Sequence, residues 1–189
     1  MALDARYERS RALVFAAVQS VLVIDGVAGL TTDRLAAVSG VSRSTIYRNW
    51  PDLAILTCEV FEELMHRDAV DFSADPVQAL REYLVDYARR LNDATYCAVL
   101  IALIEASSRD DIFADVHRRT FSQTRSRAAD IIRRGQEQGV FRADINARVG
   151  VEDIVAPFLY RRLVTQRIIS ARQVTELHQR LIGAWSPPS

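Results

Sequence analysis

The stretch Ser42–Trp50 reads "SRSTIYRNW" and concentrates hydrogen-bond donors. Arg43 and Arg48 bring guanidinium forks, Ser44 and Thr45 bring small hydroxyls, and Tyr47 brings a phenol, with no carboxylate among them. An arginine fork matches the O6 and N7 acceptors of guanine in a major groove. Short hydroxyl side chains let a helix end come close to phosphates or base edges, and a tyrosine hydroxyl can donate to a phosphate. Thr31 and Thr32 stand just upstream at an expected helix start, where free backbone N–H groups favour a phosphate.

Other chemistries lack their parts. His66, His117 and His178 fall on three separate expected helices, and none has a partner one turn away, so no metal set is expected. There is no glycine-rich phosphate loop, nucleophile elbow or zinc spacing. The carboxylate pairs Glu62–Glu63 and Asp110–Asp111 read as solvated helix ends. Cys58 and Cys97 have no short spacing and no basic neighbour to lower a thiol pKa, so they read as small buried hydrophobes. No catalytic residue, metal or cofactor is expected, and the chain does not read as an enzyme.

The elements that must hold the donors follow from periodicity and punctuation. The chain has 189 residues, 49% hydrophobic and 25% charged, with zero formal net charge, enough apolar side chains for a sizeable core. All 24 cations are arginine, a bias that codon composition explains without invoking a site. The N-terminus lacks the pattern of a secretory leader, and the longest apolar runs are too short to span a bilayer. A cytoplasmic protein with no membrane partner and reduced thiols is expected.

Helix one is predicted from Asp4 to Asp25, with Leu13, Ala17, Val21 and Ile24 on its buried face. Gly26 and Gly29 end it. Thr31 caps a two-turn helix, Thr32 to Ser39, closed by Gly40, and Ser42 caps a third running up to Trp50. Pro51 breaks the chain and Asp52 caps a fourth helix from Leu53 to about Asp68. "DAVDFSADP" reads as a loop and Pro76 opens a helix to about Leu91. "ATYCAVLIALIEASS" is apolar all round and should be the most buried element, bent or split. Long helices are predicted over 112–138 and 147–169, and a last one over 171–184, with Asn146 as a cap and a kink at Pro157. The fold class is therefore all-α.

"TTDRLAAVSGVSRSTIYRNW" has the parts of a helix-turn-helix. Leu35 and Val38 pack inward, Gly40 allows a positive φ in the turn, Val41 plugs the junction, and Ile46 and Trp50 share a buried face. The opposite face keeps Ser44, Thr45 and Arg48, flanked by Arg43 and Tyr47. The same spacing also suits a helical hairpin inside an ordinary bundle, with Thr31 and Ser42 only as caps. Residues 1–50 hold six arginines against four acids, so the cationic excess lies at that end.

"GLTTDRLAAVSGVSRSTIYRNWPDLAIL" resembles the DNA-binding segment of the tetracycline-repressor (TetR) family, through Gly29-Leu30-Thr31, Ala36, Gly40-Val41-Ser42 and the "STIYRNWP" block. The segments "RRGQEQGVFRADI" and "VGVEDIVAPFLYRRLV" are similar, more weakly, to the remainder of such regulators. The resemblance implies a three-helix head over residues 1–50 and a helical effector-binding and dimerisation body over 51–189. It implies double-stranded DNA, a small apolar or amphipathic effector and a second copy of the chain as partners, and a repressor as the function. The positions that match the family's DNA contacts are Thr31, Thr32, Arg43, Ser44, Thr45, Tyr47, Arg48 and Asn49. One departs: the family's phosphate-binding lysine falls at Leu53, whose role an N-terminal arginine such as Arg6 or Arg9 would have to take. A helical adaptor that binds protein and not DNA is the rival reading, and it has no need of the exposed donor set.

The body offers weaker signals. Aromatics are spread over its helices, and Phe61, Tyr83, Tyr87, Tyr96, Glu105 and His117 are the candidate effector contacts, since ligand sites between helices are apolar with isolated polar groups. The helix from Ala147 carries more apolar residues than one core stripe needs. It is therefore expected at the dimer interface, with Ile154, Phe158 and Arg162 as contacts.

Overall fold

The computed structural model describes residues 2–65 and 73–188. Among them all regular structure is helical: α1 (Ala2–Asp25), α2 (Thr32–Ser39), α3 (Arg43–Asn49), α4 (Leu53–Met65), α5 (Pro76–Asn92), α6 (Ala94–Ser107), α7 (Asp111–Glu137), α8 (Ala147–Leu159) and α9 (Ala171–Trp185). The expected end of the fourth helix at Asp68, His66 and most of the loop before Ser73 lie outside the described residues. No helix among those described is long and apolar enough to cross a membrane.

Contacts divide the chain into two units, Met1–His66 with Ala98–Thr120, and Arg67–Cys97 with Phe121–Ser189; the division falls inside α6 and α7. In the first unit α1 packs on α2 and α4, and α2 packs on α3. The buried stripe of α1 is Val14, Ala17, Val18 and Val21, flanked by Phe15 and Leu22. Leu13 and Ile24, expected on that stripe, are 46% and 69% exposed. They sit about one residue, or 100° of helix rotation, off a stripe that serves both α2 and α4. Val38 is also outside, at 43% exposure, because two-turn α2 turns only Thr32 and Leu35 fully inward. Phe61 of α4 meets Phe113 of α7 edge to face at 5.9 Å, and Glu62 accepts from Arg119 at 2.6 Å.

In the second unit α5 packs on α8 and α9. Pro76 starts α5 behind Asp75, whose carboxylate accepts from Val77 N–H at 3.0 Å. The rings of Tyr83, Tyr87 and Phe158 follow one another at 6.1 and 6.4 Å. Trp185 meets Phe141 edge to face at 5.6 Å.

Two expectations are corrected. α6 is one unbroken helix, and it is not the most buried: Ile101 and Ile104 are 48% and 39% exposed. A helix apolar all round packs only the sides its neighbours reach. The long helix expected over 147–169 stops at Leu159, two residues after Pro157, and passes into a π turn over Tyr160–Val164. Pro157 removes one helical N–H and crowds the preceding turn, and a single π turn is a common way for a helix to absorb such a mismatch. Gln166 then takes a left-handed φ of 54°.

Candidate nucleic-acid interface

The α2–turn–α3 segment forms as its capping residues dictate. Thr31 is the N-cap of α2, and its hydroxyl oxygen accepts from Arg34 N–H at 3.2 Å. Gly40 closes α2 at φ 70°, ψ 6°, and its N–H donates to Ala36 O at 3.0 Å; a side chain would strain this left-handed position. Ser39 Oγ donates to Leu35 O at 2.6 Å and accepts from Val41 N–H at 3.1 Å, which stiffens the turn. Ser42 caps α3, and its Oγ lies 3.1 Å from Ser44 Oγ and 2.9 Å from Thr45 Oγ1.

Packing then decides which face remains outside. Ile46 is fully buried and Trp50 is 3% exposed. The Trp50 ring lies 6.3 Å from Tyr7 and 6.1 Å from Phe15, both on α1, and its indole N–H donates to Glu59 of α4 at 3.2 Å. Arg11 of α1 donates to Glu63 of α4 at 2.6 Å, with its guanidinium 4.0 Å over the Phe15 ring. α3 is thus seated against α1 and α4, and its other side carries Arg43, Ser44, Tyr47 and Arg48, all exposed. Thr31 is exposed, and its O–H donates to no partner among the described residues while its oxygen serves the cap. Thr45 and Asn49 are half-buried. Thr32 is the exception: at 7% exposure its side chain is inside, because position N1 of α2 turns toward α1.

The arginines of this unit's head fall into two sets. Arg34 pairs with Asp25 at 3.3 Å, and Arg43 pairs with Asp33 at 2.8 Å. Arg6, Arg9 and Arg48 have no carboxylate partner among the described residues, and they line one cleft of about 830 Å³ with Tyr7, Ser10, Ser42, Thr45 and Asn49. Among the described residues no acidic side chain lines it. An open cleft of unneutralised guanidiniums, hydroxyls and an amide is suited to a phosphate backbone. Leu53 is half-buried and offers no donor.

The other candidates separate. Phe61, Glu105 and His117 belong to the first unit, Tyr83, Tyr87 and Tyr96 to the second. Phe61 and Tyr83 are fully buried, and Tyr87 is 6% exposed. Glu105 is exposed and pairs with Arg109 one turn on, which makes it a surface residue and removes it from a buried lining. His117 and Tyr96 are half-buried. Ile154 and Phe158 are 0% and 3% exposed within one protomer, so neither presents a surface to a second chain. The residues that α8 turns outward are Arg148, Val149, Glu152, Asp153 and Ala156. Arg162 donates through Nε to the Leu91 carbonyl at 2.8 Å, an internal tie to α5.

The pairing roles of Asp33, Glu59, Glu63 and Arg90 give little signal in the sequence. The Arg90 guanidinium lies 6.0 Å over the Tyr96 ring, and its Nε is buried 3.3 Å from Asp86 without a hydrogen bond. Only the Asp86–Arg90 spacing of one helical turn signals that pair. Burial, with Glu62 adding to it, pushes the Cys58 thiol up to about 11, which holds it protonated at neutral pH.

Comparison with known proteins shows what the chain is similar to. Residues 73–181 match the family described as "Tetracyclin repressor-like, C-terminal domain". The chain is 26% identical over 174 residues to the uncharacterized HTH-type transcriptional regulator YdeS of Bacillus subtilis (strain 168), covering 91% of this chain and 87% of that one. The crystal structure of the TetR family transcription regulator SCO0332 is 30% identical, with a TM-score of 0.55 over 94% of this chain and 99% of that one. The flavonoid-responsive regulator FrrA shares the fold at 16% identity, with a TM-score of 0.71 over 96% of this chain and 100% of that one.

Proposed function

This chain belongs to the tetracycline-repressor family of ligand-responsive, DNA-binding transcriptional regulators, and from that premise we propose that it is a cytoplasmic, homodimeric repressor of a palindromic operator. Residues 1–50 hold the DNA, and residues 51–189 hold the effector and the partner protomer. The observation that carries the reading is the cleft of Arg6, Arg9 and Arg48 beside the exposed face of α3, which has no acidic side chain among its described lining residues. Arg48, Tyr47, Ser44, Thr45 and Asn49 meet the operator from α3, with Thr31 at the start of α2. Arg6 and Arg9 supply the phosphate contact that Leu53 cannot. A catalytic role has no place in this scheme, and a protein-binding adaptor would gain nothing from such a cleft.

Two heads must stand about 34–36 Å apart to enter successive major grooves. The dimer surface we assign is the outward side of α8 and α9. Val149 and Ala156 share that side of α8 and Tyr160 follows at the start of the π turn, with Val149 52% and Tyr160 61% exposed. On α9, Gly183 is exposed, and a Cβ added there would meet nothing within 4 Å. A helical glycine destabilises by roughly 1 kcal/mol relative to alanine, and the protomer has no packing reason for one. Close approach by a second helix supplies the reason. Burying at least about 1,000 Å² in total makes such an interface stable.

The effector is an apolar or amphipathic molecule that meets the aromatic series Tyr83–Tyr87 and Tyr96. A flavonoid-responsive regulator shares this fold, which supports an aromatic effector. Binding favours one spacing of the heads over the other and so shifts their population. The test is a mobility shift on a selected duplex, with a salt titration. Steep salt dependence and a two-protomer complex are expected. Weak binding that ignores sequence would overturn the reading.

A further inference from the structure

The two arginines of α3 stand in opposite electrostatic states. Arg48 has no carboxylate partner among the described residues. Arg43 has its Nε 2.8 Å from Asp33 Oδ1 across the turn, with both side chains about two-thirds exposed, at 65% and 67%. We infer that Asp33 is a specificity-determining residue, which holds Arg43 as a reader of guanine and bars it from serving as a phosphate anchor. The inference rests on the DNA-binding reading above.

The geometry carries it in three steps. The carboxylate makes its closest approach to Nε, and the Nη1 and Nη2 edge of the fork makes no hydrogen bond among the described residues. That edge suits the O6 and N7 of guanine. Next, a neutralised arginine gains little from a phosphate, because its charge is already balanced and Asp33 repels the backbone. Base acceptors carry only partial charge, so the repulsion is far weaker there. Finally, Asp33 sits in the first turn of α2 and Arg43 is the first residue of α3, and their side chains meet at 2.8 Å. The second carboxylate oxygen can then accept from the N4 amine of the paired or neighbouring cytosine. Neither residue has a packing duty: both are exposed, and an exposed pair of this kind contributes little to folding.

The experiment starts from wild-type protein and a randomised duplex library, selected to give a half-site. Asp33→Asn, Arg43→Ala and the double variant are then titrated against the selected duplex, single-base variants of it, and a scrambled duplex, each over a salt series. Asp33→Asn should relax the preference for guanine at one position per half-site by roughly tenfold, within the range a bidentate arginine contact provides. It should at the same time tighten binding to the scrambled duplex, since a repulsive charge has gone. The double variant should show no more loss of preference than Arg43→Ala alone. Arg43→Ala should leave the salt slope unchanged, whereas Arg48→Ala should lower it by about 1. A structural role for Asp33 would weaken binding evenly to all duplexes and lower the melting temperature of the free protein. That pattern, or an unchanged base preference in Asp33→Asn, overturns the inference and leaves DNA binding intact. Failure of the wild type to enrich any sequence overturns both.

Discussion

Replacing Trp50 with alanine probes the joint on which the DNA-binding head depends. The ring is 3% exposed, stacks near Tyr7 and Phe15, and donates its N–H to Glu59 on α4. An aromatic ring of this size buries on the order of 200 Å², which at about 25 cal/mol per Å² corresponds to roughly 5 kcal/mol as an upper bound. Measured losses for a buried tryptophan truncated to alanine run about 3–5 kcal/mol. The two ring contacts and the indole hydrogen bond lie inside that figure. A small domain holds only about 5–15 kcal/mol in total, so α3 should lose its seat against α1 and α4. The expected result is rapid amide exchange over residues 32–49 and loss of operator binding. Trp185, 4% exposed against Phe141 in the second unit, then remains as the sole tryptophan and should keep a buried emission spectrum. Trp50→Phe, which keeps ring packing and loses the donor, should fall between the two, at about 1–2 kcal/mol. A Trp50→Ala protein with protected α3 amides would refute the packing argument. One whose Trp185 emission shifts red would show that the two cores do not melt separately.

Arg48→Ala should weaken operator and scrambled duplex alike and lower the salt slope by about 1, and Tyr47→Phe should also weaken both duplexes, as phosphate contacts do; titration of both duplexes over a salt series checks it. Gly183→Ala should raise monomer stability by roughly 1 kcal/mol through helix propensity, and Gly183→Leu should give monomers by light scattering if α9 meets its mate there. A dimeric Gly183→Leu protein would move the interface elsewhere. Phe158→Asp should unfold the second unit and not yield a clean monomer, because the ring is buried against Tyr87; circular dichroism reads the loss. Cys58 should resist alkylation in the native protein at pH 8 and react once unfolded. Its thiol is raised from 9.0 to about 11, so the stability it contributes is complete below about pH 9 and fades as pH rises through 11. Fast native labelling at pH 8 would contradict that burial.

Local chemistry makes the DNA-binding head legible in the sequence. Thr31 and Ser42 as caps, Gly40 at a left-handed turn, and Ile46 with Trp50 four apart each act within a few residues, so spacing alone locates α2 and α3. The donor face of α3 follows as the side opposite the buried pair. The same spacing puts Leu13, Ile24 and Val38 inside, where they are not, because their burial depends on which neighbours reach a helix and at what angle. It also makes α8 longer than it is, since the pattern of apolar residues continues through a π turn that the backbone takes to accommodate Pro157. Most of all, apolar spacing does not separate core from interface on α8. Ile154, Phe158 and Val149 are all apolar, and only the placement of α5 and α9 decides that the first two are inside and the third is out. Ion pairs such as Asp33–Arg43 and Arg11–Glu63 are invisible in the sequence for the same reason: an electrostatic partner is chosen by distance in space, which sequence spacing reports only within a single helix.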